Sequence, residues 1–285
     1  MNHPAGPFPQ TQELSVRSRS FDVLLILPAA IFTLAFLILP LARLTVEAGT
    51  GPSGFAGFFA ILTEARYRNS LLVTLALSIV TTLATLTLAT IAAQTLAHRK
   101  FPGRGLLLSL MTFPLAFPGV VVGFMIILFG GRLGLVNSLS MAAFGTRAIF
   151  AYSLFGLFLG YVYFSVPRVL LTLLAAAEKL DRSLVEAARS LGAGPLAIQR
   201  DVVLPALFPA MYTGGALCFA TAMGAFGTAF TLATSIDVVP MLIYTEFTLA
   251  TNAGMAASIS IALGAITWAA LALARSRAMR DTKGG

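Results

Sequence analysis

Six stretches of this 285-residue chain are apolar for long enough to cross a lipid bilayer, and they constrain the fold more than any other feature. They lie at about 21–44, 69–97, 105–129, 148–174, 206–235 and 254–274. A bilayer core takes about 20 helical residues to span, and the backbone inside it must satisfy its own hydrogen bonds. Each stretch therefore predicts a transmembrane helix, and together they predict an all-α polytopic membrane protein. Only 11% of the residues are charged, against 58% hydrophobic. A soluble domain carries about a quarter charged residues to face water, so a soluble helical protein with an enlarged core is disfavoured.

The basic residues set the expected orientation. With a cytoplasmic N-terminus, the inner loops hold fourteen of the nineteen Lys and Arg residues, Arg168 counted among them. The outer loops hold Arg43, Arg66, Arg68, Arg132 and Arg147. Cytoplasmic loops are enriched in Lys and Arg, which places both termini in the cytoplasm. The net charge of +8 then reads as topology and attraction to membrane lipid headgroups, with no nucleic-acid partner. Residues 1–20, with Pro4, Pro7 and Pro9, predict a polar cytoplasmic tail. No small-residue cleavage site follows the first apolar run, so it is expected to be a retained span. The lone Cys218 sits in an apolar run, and His3 and His98 sit in polar flanks. No disulfide, metal centre or catalytic pair is expected from them.

Helix breakers mark some spans. Pro114 and Pro118 interrupt the third and are candidates for a bent helix lining a substrate pathway, or for a packing kink. Pro209 falls near the start of the fifth. Gly119-x3-Gly123 and Gly156-x3-Gly160 have the spacing that lets helices approach closely. No ionisable side chain is expected inside a span, which argues against an ion-coupled secondary carrier. Asp237 and Glu246 fall in the expected last outer loop and read as solvated acids.

The loop between spans four and five, about 175–205, has internal order. Ser183 followed by Glu186 fits a capping box that starts a short helix. Gly192 is placed to end it in the left-handed conformation, and Gly194-Pro195 to start a second. That second helix, about 195–201, is expected to stop before Pro205. Helix, sharp turn, helix just outside the bilayer makes a knob suited to docking, although an interfacial hairpin without a partner has the same local pattern.

The residues Glu186-Ala187-Ala188-x3-Gly192-x9-Val202-x-Leu204-Pro205 resemble the EAA loop of permease subunits of type I binding-protein-dependent ABC importers. Every spacing of that pattern matches, and Val202 stands where isoleucine is usual. The similarity extends over about 66–274 as the importer transmembrane domain. Residues 21–65 form the additional first helix and outer loop, and 275–285 a cytoplasmic tail. The resemblance implies that the loop is a coupling helix docked on a cytoplasmic ABC ATPase dimer. Glu186, Ala187, Ala188, Gly192, Pro195, Val202, Leu204 and Pro205 would carry the docking, with Ala187 and Ala188 small for close approach and 195–200 facing the ATPase. It also implies a substrate-binding protein outside and a second permease subunit, a different chain before an identical one. The sequence has no Gly-x4-Gly-Lys-Ser/Thr phosphate loop, so ATP and Mg2+ would bind the partner ATPase and this chain would carry no catalytic, cofactor or metal residues. The stretch 113–119 is similar to polyamine permeases and to relatives handling ferric iron, thiamine, sulfate or aminoethylphosphonate, which makes spermidine or putrescine the leading expectation for the cargo.

Overall fold

A computed structural model describes residues 19–51, 54–99, 101–232 and 236–281. Residues 1–18 of the expected tail, Lys100, 233–235 of the fifth expected span and residues 282–285 lie outside them. The described residues form helices and turns with no strand. Six helical stretches among them are long and apolar enough to cross a membrane, the number the sequence predicts. The third, however, is Gly119–Phe144, with Arg104–Ala116 a shorter apolar stretch before it, where 105–129 is expected, and the fifth is Pro195–Met223.

The first stretch is α1 (Arg19–Thr33), a π turn at Leu34–Ile38, and α2 (Leu39–Thr50). A second π turn, at Gln199–Val203, joins α10 (Pro195–Ile198) to α11 (Leu204–Met223). Each wide turn comes just before a proline, Pro40 and Pro205. Proline has no N–H to give and its ring presses on the carbonyl four residues back. A bond to the fifth residue back, as from Leu204 N–H to Gln199 O, steps over the missing donor. The helix at 195–198 therefore does not stop before Pro205, as the sequence pattern suggests, but runs on into the span.

α4 (Ala65–His98) and α8 (Leu154–Glu178) lie side by side in the same direction at the centre of the bundle. The buried face of α4 is built of small residues, Ser70, Thr74, Ser78, Thr81, Thr85, Ala89 and Ala93. Small side chains let membrane helices approach closely, where van der Waals contact replaces the missing hydrophobic drive. α11 and α14 (Ala253–Asp281) pack against each other, with α11 also on α4 and α8. Ile31, Phe32 and Phe36 of the first span stand exposed, and only its far end, at Ala48 and Gly51, closes on α14 near Gly254.

Two expected spans are not single helices. The third is α5 (Arg104–Thr112), a 3-10 turn at Phe113–Ala116, extended backbone at Phe117 and Pro118, and α6 (Gly119–Gly130). Pro118 ends the turn, because a proline disfavours helical geometry in the residue before it and Phe117 is extended, whereas Pro114 sits in the first turn of the 3-10 segment after a helical Phe113. The fifth breaks at Gly224 between α11 and α12 (Phe226–Leu232). Pro209, by contrast, sits inside α11 without ending it, and Pro167 sits inside α8.

The two broken spans meet. A Cβ on Gly123 would overlap Thr231 Oγ1, one on Gly119 would lie 3.1 Å from Thr228 Oγ1, and one on Gly160 would lie 2.8 Å from Thr228 Cγ2. Both small-x3-small motifs thus place a glycine against α12, one from α6 and one from α8. α7 (Leu135–Phe144), α3 (Gly57–Thr63), α9 (Arg182–Ser190) and α13 (Val239–Thr248) are short helices at the ends of the bundle.

Glu246 corrects an expectation. It belongs to α13, is 5% exposed, and takes Arg66 Nη1 at 3.3 Å and the Tyr67 hydroxyl at 3.2 Å on one carboxylate oxygen. The segment expected to be a solvated loop is a helix tied down onto the start of α4.

Candidate functional site

The loop after α8 is built by local hydrogen bonds. Asp181, and not Ser183, caps α9: its carboxylate accepts the Ser183 N–H at 2.9 Å. That bond holds the Asp181 carboxyl below the usual carboxylate range. The helix begins two residues earlier than the Ser183–Glu186 pattern suggests, because aspartate caps as well as serine and comes first. At the other end Gly192 takes φ +84°, as expected. Gly192 N–H donates to Arg189 O at 2.9 Å and Ala193 N–H to Ala188 O at 3.0 Å. These two bonds are the Schellman closure of a helix. Gly194 then caps α10, with Pro195 in its first turn.

The knob is anchored by Ile198, Val203 and Leu207, which pack with Ala177 and with the inward sides of Val185, Ala188 and Ala193. The motif residues therefore divide. Glu186, Ala187, Gly192, Pro195 and Pro205 are exposed; Ala188, Val202 and Leu204 are half-buried. Ala188 is half-buried and also packs against its own chain, on the Ile198, Val203 and Leu207 cluster. Three leucines that the motif does not contain face outward: Leu184, Leu191 at 89% exposure and Leu196 at 82%. Leu184, Ala187 and Leu191 fall at helical spacing, a stripe legible in the sequence as apolar residues beside Val185 and Ala188 in a short loop helix.

The second candidate feature is a cavity of about 280 Å³ within the bundle, between the two helix breaks. Pro114, Phe117, Pro118 and Gly119 line it from the first break, and Thr221, Gly224, Ala225, Gly227 and Thr228 from the second. Phe164 and Arg168 of α8 complete it. Two hydroxyl bonds tie the breaks to their neighbours. Tyr161 donates to Ala225 O at 2.8 Å, and Thr228 to Gly119 O at 3.0 Å. The structure thus brings Pro114 and Pro118 together with residues that the sequence reading left unassigned. Arg168, grouped with the inner-loop charges although its number falls within the expected span 148–174, lies inside α8, so an ionisable side chain does stand in a span.

These features define a multi-pass α-helical membrane protein with a capped helical knob at one end of the bundle. Residues 85–277 match the family described as binding-protein-dependent transport system inner membrane component. The chain is 30% identical over 263 residues to a Salmonella typhimurium protein assigned provisionally as the 2-aminoethylphosphonate transport system permease PhnU, covering 89% of this chain and 92% of that one. It is 32% identical to the molybdenum transport system permease protein ModB of Escherichia coli, over 65% of this chain and 81% of ModB. The sulfate transport system permease protein CysW of Synechococcus elongatus is 29% identical over 74% of each chain. A permease chain of a solved bacterial alginate ABC transporter, in complex with an alginate-bound periplasmic protein, superposes with a TM-score of 0.80 at 18% identity, covering 93% of this chain and 96% of that one. The chain belongs to the binding-protein-dependent inner-membrane permease family, and it is a permease subunit of an ABC importer.

Proposed function

We propose that this permease carries a small oxyanion, handed over by a binding protein outside the membrane, and that the 182–205 knob couples it to a cytoplasmic ATPase dimer. The cargo class rests on the relatives, which are named for transport of 2-aminoethylphosphonate, molybdenum and sulfate. The aminoethylphosphonate and sulfate alternatives belong to that class; spermidine and putrescine, the leading expectation from residues 113–119, have no support from these relatives. The knob end of the bundle is the cytoplasmic one in this reading, with both termini on that side. ATP and Mg2+ bind the ATPase subunits, and a second, different permease completes the pathway, with a second copy of this chain as the alternative.

One observation carries the docking. Leu184, Leu191 and Leu196 project from a rigidly closed loop that has its own packed underside. Leucines this exposed outside the bilayer leave apolar surface in water, at about 25 cal/mol per Å² until something covers it. The ATPase dimer is the partner the EAA resemblance supplies. Reconstituted complex with Leu191→Asp and Leu196→Asp should lose co-purifying ATPase and uptake of molybdate, sulfate or 2-aminoethylphosphonate while the permease still inserts. Full retention of the ATPase sinks the docking surface. Uptake of spermidine by the wild-type complex, with none of the three anions moved, sinks the cargo class. A purified complex holding this chain as its only membrane subunit sinks the heterodimer.

A further inference from the structure

Arg168 lies in the middle of a membrane span. Ten residues separate it from Glu178 and fourteen from Leu154, so at 1.5 Å per residue it sits about 15 Å and about 21 Å from the two helix ends. A guanidinium facing lipid at that depth costs at least about 2.5–3.5 kcal/mol. Among the described residues no carboxylate pairs with it, and its neighbour is the Phe164 ring, 5.7 Å from the guanidinium carbon to the centroid. The side chain is nonetheless exposed on the single chain. A charge in this position belongs to a surface that meets water, not hydrocarbon.

Among the described residues, the cavity beside it carries no other charged side chain. Two carbonyls next to it, Ala225 O and Gly119 O, each accept a hydroxyl. The Thr221 hydroxyl is spent on Leu217 O within its own helix. Backbone bonding of α6 starts at Val121 and Val122, which both donate to Pro118 O. The amides of Gly119 and Val120 come before it, at the positive end of the helix. No acidic side chain lines the cavity. The charged side chain on its lining is the Arg168 guanidinium, which suits an oxyanion and repels a polycation.

We propose that Arg168 stands on the wall of the translocation route and contacts the oxyanion as it crosses, with the Pro114–Gly119 and Gly224–Ala225 breaks forming the rest of that contact. This rests on the oxyanion reading above for the identity of the ligand, but not for the exposure of Arg168 to water. The test uses the whole complex, with ATPase, partner permease and binding protein, in liposomes. Molybdate, sulfate and 2-aminoethylphosphonate are offered in turn as cargo. Arg168→Gln should slow uptake about tenfold or more while ATP hydrolysis and complex composition are retained, and Arg168→Lys should restore most of the rate. In a Cys218→Ala background, the thiol of Arg168→Cys should react with a membrane-impermeant sulfonate thiol reagent, and the transported anion should slow that reaction. Leu128→Cys, 74% exposed on an apolar face, should stay unreactive. Wild-type uptake by Arg168→Gln, or a thiol at 168 that never reacts through the ATP cycle, overturns the proposal. If the wild-type complex moves none of the three anions, the cargo class has failed, and the labelling still decides whether Arg168 faces the route.

Discussion

The knob and the cavity are both candidate working parts, yet they are built by opposite means. Every bond that shapes the knob joins residues within five positions of each other: Asp181 to Ser183, Gly192 to Arg189, Ala193 to Ala188. The bonds that shape the cavity cross 64 positions from Tyr161 to Ala225 and 109 from Thr228 to Gly119. A local device can be changed without disturbing the bundle that carries it. A device made of helix breaks leaning on one another has no such independence, because the hydroxyl bonds and close glycine contacts that hold each break come from other elements.

Substitutions can break or sharpen this contrast, and the largest effect belongs at the knob. Gly192 has a left-handed φ of +84° and open space around it, so Gly192→Val strains the turn without striking a neighbour. Uptake by the reconstituted complex should fall about tenfold or more, with the thermal midpoint of the solubilised permease barely moved. A collapse of the midpoint would show the knob to be part of the core. At the cavity the expectation reverses. Gly123→Val drives methyl groups into Thr231 and should cost about 1–3 kcal/mol of stability, lowering the thermal midpoint and uptake together.

Glu246→Ala is expected to behave like the cavity change but more weakly. It leaves the buried Tyr67 hydroxyl without its acceptor, at about 1–2 kcal/mol. Faster hydrogen exchange at the start of α4 would register the loss, and unchanged exchange there would show that water replaces the carboxylate. The smallest effects return to the loop end. Arg104–Glu178 is a partly exposed pair at 2.6 Å, so Arg104→Ala should cost less than about 1 kcal/mol in a thermal melt.

The Asp181 cap gives the pH sign. Its folded carboxyl titrates below the unfolded value, so its stabilisation is present above the unfolded carboxylate range of about 3.9 and is lost as pH falls through the lower folded value. Between neutral pH and pH 5 the Ser183 amide should therefore keep its exchange protection. Asp181→Asn should preserve that protection and Asp181→Ala should lose it.

The sequence also showed its limits at particular residues. The turn at Gly192 and the restart at Gly194-Pro195 were legible because φ preference is a property of the residue itself. The start of α9 was misplaced by two residues, since Asp181 and Ser183 are both competent caps and only the packing of Val185 and Ala188 on the underside shows which helix start fits. Motif spacing marks Ala188 as small for close approach, and only the structure shows that part of its surface packs on Ile198, Val203 and Leu207 of its own chain. The outward leucines at 191 and 196 belong to no motif and were passed over.

By itself the sequence determined the spans, because apolar length is additive along the chain and a bilayer measures it directly. It determined the closed turns of the knob, because caps and left-handed glycines act over a few residues. Only the tertiary structure decided that the fifth span breaks at Gly224, that this break and the proline interruption of the third face each other through Gly119, Gly123, Gly160 and Thr228, and that Arg168 opens onto the cavity between them. Hydropathy averages over a window and cannot see a break that neighbouring helices make affordable, and no local rule says which side of a span will be left wet.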